Sequence, residues 1–115
     1  TSQIIIDSDR KIISDDGTHN SFGTAAFDSS QCIVTADSLS RVFKFTGSNV
    51  TNDCVLKGIK ITGGNGKLVA NSDHKLFGGG IITVDGAQPT ITNCFFTNNL
   101  GGSNDGFGGA IACIG

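Results

Sequence analysis

Residues 77–84 read FGGGIITV and residues 107–114 read FGGAIACI, so that Phe, two glycines and Ile recur at an offset of 30 residues. A second pair lies upstream of these. Residues 55–65, VLKGIKITGGN, fall over residues 90–100, TITNCFFTNNL, at an offset of 35, with Leu56, Ile59 and Ile61 over Ile91, Cys94 and Phe96. The apolar positions line up while the polar ones vary. The two offsets differ because the connection from Thr62 to Phe77 is 15 residues and that from Thr97 to Phe107 is 10. Strands that stack in register, joined by connections free to bulge outward, point to a β-solenoid in which each repeat is one coil.

Further matches extend this reading toward the N-terminus. Residues 43–47, FKFTG, follow residues 82–86, ITVDG, in strand period and closing glycine, and Ile4 to Asp7 with Lys11 to Ser14 supply an earlier coil. Residues 18–41 are the least readable part, where Gln31 to Thr35 is either an extra strand or an inserted loop. The strands are short and β-branched, with an irregular residue near Gly58 and Asn93 that fits a bend within the coil. Gly63-Gly64-Asn65 and Asn98-Asn99 supply residues that tolerate left-handed backbone at sharp corners. A sandwich or jelly roll would show longer alternating strands and no repeat at this period. The expected fold is all-β: a parallel β-helix of about three to four coils with unequal loops. Residues 1–115 form a single solenoid domain, complete or a segment of a longer one.

Composition agrees. The chain of 115 residues holds 17 glycines and ten acids, all of them Asp, and no Met, Trp or Tyr. Few straight-chain helix formers remain. Charged residues are 16% and apolar ones 37%, so the chain is expected to fold. Its formal charge is −2, with basic residues scattered from Arg10 to Lys75, which argues against nucleic acid as a partner. No apolar run reaches the roughly 20 residues of a membrane span, and the first residues, TSQIIID, lack the features of a signal peptide. The chain reads as a mature segment.

Candidate chemistry is sparse. Asp15-Asp16 is similar to the paired aspartates of a polygalacturonase, but the GHG and RxK companions of that family are missing; a solvated turn is the simpler reading. His19 and His74 sit in polar segments, and Asp73-His74 and Asp53-Cys54 are neighbours whose side chains diverge on an extended chain. Asn104-Asp105-Gly106 reads as a tight turn without the nonapeptide that binds calcium in RTX rolls. No metal and no cofactor is expected. Gly78, Gly79, Gly80, Gly108 and Gly109 lack the lysine and helix of a phosphate loop and are assigned, with Asn98 and Asn99, to corners. Phe43, Phe45 and Phe96 are expected in the core, Phe77 and Phe107 stacked on each other, and Phe95 exposed. Cys32, Cys54, Cys94 and Cys113 are disulfide candidates whose connectivity stays open, within the chain or between chains. Cys94 falls on the Ile59 position and Cys113 on the Thr83 position, where small buried thiols are also natural. Asn49, in Asn49-Val50-Thr51, is a candidate glycosylation site.

The run GGGIITVDGAQPTITNCFFTNN followed by GGAIACIG resembles the right-handed parallel β-helix repeats of bacterial and archaeal cell-surface proteins, including the FxxN and GGA(I/L/V) motifs of chlamydial polymorphic outer membrane proteins. Phe96 and Asn99 satisfy the first motif, and Gly108-Gly109-Ala110-Ile111 the second. The resemblance covers residues 42–115 well and residues 1–41 weakly. It implies a surface, adhesive or sheath-like setting rather than a reaction.

The chain stops in mid-coil by its own repeat, and Ile114-Gly115 followed by Thr1 to Asp7 reads like residues 84–92. The ends therefore look complementary, and no capping helix is visible. The expected function is a non-catalytic extracellular structural β-solenoid that stacks head to tail through its open ends into a sheath, layer or filament. Alternatives are an adhesive or ligand-binding segment of a larger surface protein, with a glycan among its possible partners, and a fragment of a polysaccharide lyase or hydrolase.

Overall fold

A computed structural model of the chain describes residues 3–13, 32–37, 40–66, 77–101 and 108–114. Within them lie ten short strands: β1 (Ile4–Ile6), β2 (Lys11–Ile13), β3 (Ile33–Thr35), β4 (Phe43–Thr46), β5 (Val55–Lys57), β6 (Lys60–Thr62), β7 (Ile81–Val84), β8 (Thr90–Thr92), β9 (Phe95–Thr97) and β10 (Ile111–Cys113). No α-helix occurs among the described residues. The strands form three parallel sheets, A in the order β1-β4-β7-β10, B in the order β2-β5-β8 and C in the order β3-β6-β9. The chain thus visits A, B and C in turn three times and returns once more to A. This arrangement of parallel strands in three stacked sheets is compatible with a β-solenoid.

Two registers agree with the repeats. Ile81 pairs with Ile111 and Thr83 with Cys113, the offset of 30; Val55 pairs with Thr90 and Lys60 with Phe95, the offset of 35. The earlier strands β1 and β2 are also present, and of the ambiguous stretch Ile33–Thr35 is a strand, with Ile33 beside Lys60.

Two expectations are corrected. Phe43 pairs with Ile81 rather than Ile82, one residue from the alignment on closing glycines. The residue level with Gly47 is Asp85, which holds a φ of 56° against 94° for Gly47, so a short polar residue makes the same corner that glycine makes. A one-residue slip would also have turned Phe43 and Phe45 to the wrong face. The second correction concerns the N-terminus. Ile4–Ile6 pair with Phe43–Phe45 in sheet A, so β1 is a strand of the same class as β10, not the equivalent of Thr90–Thr92 in sheet B. Three isoleucines match the apolar β7 better than the polar-apolar-polar β8.

Corner conformations stack as the strands do. Positive φ recurs at Gly58 and Asn93, at Gly63 and Asn98, and at Gly78 and Gly108. Each pair is level in adjacent passes.

Burial follows position in the stack. In the middle pass Phe43, Phe45, Val50, Cys54, Leu56, Ile59 and Ile61 are all buried in one cluster. Their counterparts in the outer passes, Ile6, Ile12 and Val34 on one side and Ile91, Cys94 and Phe96 on the other, are only partly buried. A middle strand has neighbours above and below; an outer one has neighbours on one side. Strand β7 is buried on both faces, because Ile82 and Val84 join a second cluster with Ala112, Phe77 and Ile114.

Candidate functional site

The repeated glycines serve two ends. Gly78 and Gly108 turn the chain at φ of 64° and 65°, where an added Cβ would lie 2.5 Å from the oxygen of Ile81 or Ile111 in the same pass, while Gly80 allows close approach of the next pass, its added Cβ falling 2.6 Å from the Ala110 oxygen. The amides that a phosphate would need are already used: Gly79 N–H donates to Gly108 O (3.2 Å), Gly80 N–H to Gly109 O (3.0 Å) and Ile81 N–H to Ala110 O (2.8 Å). The glycine run is a ladder element, not an anion cradle.

Phe96 and Asn99 divide the work of their motif. Phe96 packs against the core, directly beyond Ile61 in sheet C. The Asn99 side chain accepts from Gly64 N–H (2.9 Å) and donates from Nδ2 to Ile61 O (2.9 Å), tying its own corner to the one in the preceding pass. Asn99→Ala orphans both backbone groups and is expected to cost about 2–4 kcal/mol in chemical denaturation, and Asn99→Asp, which keeps the acceptor but turns a carboxylate oxygen onto the Ile61 carbonyl oxygen, is expected to destabilise as well. A loss below about 0.5 kcal/mol for Asn99→Ala would show that the amide donor and acceptor do not act as described. Asn98 contributes through its backbone, its carbonyl accepting from Gly63 N–H (3.2 Å).

Asp15, Asp16, His19, Asp73, His74, Asn104, Asp105 and Phe107 lie outside the described residues. Asp53 is exposed while the adjacent Cys54 is fully buried, so the two diverge. Among the described residues no group of three or more His, Cys, Asp or Glu side chains could hold a metal ion. Asn49 is exposed on a turn, between Gly47 and the buried Val50.

Sequence reasoning missed two polar ties. Asp9 accepts from Thr51 N–H and from the Thr51 hydroxyl, both at 2.7 Å, clamping the first pass to the second. These bonds, aided by the charge of Lys11, hold the Asp9 carboxyl below its usual range. A lowered carboxylate pKa stabilises the fold above the unfolded value of about 4, and that contribution fades as pH falls through the lower folded value. Asp9→Asn is therefore expected to flatten the acid side of the stability profile below pH ~4; an unchanged profile would exclude the clamp as its source. Arg41 is fully buried, its Nε donating to Gly78 O (3.3 Å) and its Nη1 to Gln3 Oε1 (3.0 Å). It lies in the stretch where no repeat is readable, so no sequence signal marked it.

All four cysteines are free thiols. Cys54 is buried, Cys32 and Cys94 are partly buried against the core, and Cys113 is exposed because β10 has a neighbour on one side only. Cys32, Ile59 and Cys94 occupy level positions immediately before β3, β6 and β9, as the bonds Lys60 N–H to Cys32 O (2.9 Å) and Phe95 N–H to Ile59 O (3.0 Å) show.

The remaining surfaces of note are the strand edges. Among the described residues β1, β2 and β3 have no partner on one side, and β8, β9 and β10 none on the other. Apolar side chains line both edges: Ile4 is 44% exposed, Leu100 51% and Ile111 37%. Beside β10 a depression of about 190 Å³ is lined by Thr83, Gly86, Ala87, Gln88, Cys113 and Ile114. On the outer face of sheet C, Phe95 is 55% exposed and the Lys60 ammonium lies 5.6 Å from its ring centre. No protein family, curated protein or solved structure matches the chain.

Proposed function

We propose that the three sheets are the sides of a parallel β-helix whose coils are the successive passes, and that the protein is a non-catalytic structural solenoid which stacks head to tail at the cell surface or outside the cell. The observation that carries this reading is the pair of apolar edges, unpaired among the described residues, each offering one strand from each of the three sheets. Unpaired parallel edges of this kind template further strands. The surface setting is supported by the resemblance of the Phe96-to-Asn99 and Gly108-to-Ile111 motifs to repeats of secreted β-helix proteins.

The membership of β1 and β10 in one sheet decides how two copies meet. A copy laid flush on β8 and β9 brings its own β1 to the place that β10 already holds beside β7. One of the two must leave, and β10 can serve in place of the incoming β1. Each copy then adds three rungs, a rise of about 14 Å at the usual parallel spacing. Sedimentation of the purified chain over a wide concentration range tests the reading: mass growing with concentration is expected, and a monomer throughout would refute it.

A second reading, an adhesive segment of a larger surface protein, is favoured by Phe95 exposed beside Lys60. Its test is a glycan binding screen of the native chain against Phe95→Ala. Binding lost in the variant would support it, and no binding by either chain would remove it.

A further inference from the structure

Cys32, Ile59 and Cys94 form a column in which the two thiols belong to the first and third passes. Within one chain Ile59 stands between them, and two rungs separate the Cα atoms by about 10 Å. That exceeds the reach of a disulfide, whose Cα atoms lie about 4.4–6.8 Å apart. Both are free, and both side chains turn toward the core as Ile59 does.

We propose that Cys94 of one copy and Cys32 of the next form a disulfide that staples the stack, an inference that rests on the head-to-tail reading above. When β3 of an incoming copy pairs beyond β9, the column continues as Cys32, Ile59, Cys94, Cys32, Ile59, Cys94. The junction is then the one place where two cysteines are adjacent, a single rung of about 4.8 Å apart and inside the disulfide range. The partial burial of both thiols at the open edges agrees with this, since each lacks there the neighbour that a second copy supplies. Cys54 and Cys113 do not join this column: Cys54 precedes sheet B, and Cys113 lies within sheet A opposite Thr83. The chemistry is thiol–disulfide exchange with a small external disulfide such as oxidised glutathione. One protein thiolate attacks it and releases one reduced thiol; the second protein thiolate then displaces the other, forming the protein S–S bond. Two protein thiols are oxidised, one small disulfide is reduced to two thiols, and two protons pass between them. No other reactant is needed.

The experiment compares the 115-residue chain assembled with reduced and with oxidised glutathione, read by electron microscopy, non-reducing electrophoresis and peptide mapping. Stacks are expected under both conditions. A covalent ladder is expected only with the oxidant, lost on reduction and carrying a Cys32–Cys94 linked peptide. Cys32→Ala and Cys94→Ala are each expected to abolish the ladder, Cys54→Ala and Cys113→Ala to leave it. An equimolar mixture of Cys32→Ala and Cys94→Ala retains one usable junction per pair, so it should give a covalent dimer and nothing larger. That complementation separates a staple from a merely structural loss, because neither variant forms the dimer alone. Stacks that form while the mixture yields no dimer would overturn the staple and leave the stacking reading intact. No stacks under either condition would overturn both.

Discussion

Gly64→Ala is expected to destabilise the protein by about 3 kcal/mol or more, the upper part of the range for overpacking a filled site. A Cβ there would fall on the Gly79 carbonyl oxygen, with Gly79 C at 2.5 Å and Asn99 Oδ1 at 2.9 Å. The first obstacle is backbone, which cannot swing aside as a side-chain tip can. The Gly64 backbone is itself held by Leu100 N–H donating to Gly64 O (2.8 Å) and by its own N–H donating to Asn99, so its movement would break ties to the next pass. For a domain of this size such a loss lowers the melting temperature by roughly 10–20 °C. Gly47→Ala is the control, since φ is 94° but nothing lies within 4 Å of its added Cβ. It is expected to cost only the conformational strain, about 1–2 kcal/mol. Comparable losses for the two would mean that close approach between passes is not what the second glycine of the corner provides.

Phe45→Ala is the second large effect, expected at about 3–5 kcal/mol in chemical denaturation. Phe45 is fully buried in the middle pass, level with Ile6 on one side and Thr83 on the other. Its ring stacks with Phe43 at 6.0 Å between centres, so truncation opens a cavity that neighbouring strands, fixed by their ladders, cannot collapse to fill. Against a typical total of about 5–15 kcal/mol, that is a large fraction of the stability. Phe95→Ala, at a residue 55% exposed, is expected to change stability by no more than about 0.5 kcal/mol. If Phe95→Ala cost more than Phe45→Ala, the inward face of the strands would have been assigned wrongly.

Legibility of the sequence varies along the chain for physical reasons. The registers at offsets of 30 and 35 are readable because Phe-Gly-Gly-Ile recurs and because Leu56, Ile59 and Ile61 must face the same core as Ile91, Cys94 and Phe96. The register of β4 differs by one from the sequence alignment because glycine is there matched to glycine, although Asp85 makes the equivalent corner. Strand β3 has Lys60 and Phe95 opposite Ile33 on its outer face, so side-chain type gives no alignment there. Placing Cys32 in the column of Ile59 and Cys94 depends on that strand. The burial gradient is also illegible, since equivalent apolar positions recur in all three passes and only the presence of neighbours on both sides makes Phe43, Leu56 and Ile61 fully buried. Asp9 with Thr51, and Arg41 with Gln3 and Gly78, are pairs brought together from distant positions by the stacking, with no local motif to announce them.

The most direct test of head-to-tail stacking is electron microscopy of the concentrated chain, with layer lines measured from any ordered assembly. Stacking through the open edges predicts filaments with strand spacing of about 4.8 Å along the axis and a subunit rise of about 14 Å, three rungs per copy. Particles of single-chain size at every concentration, or assemblies without the ~4.8 Å axial spacing, would contradict it.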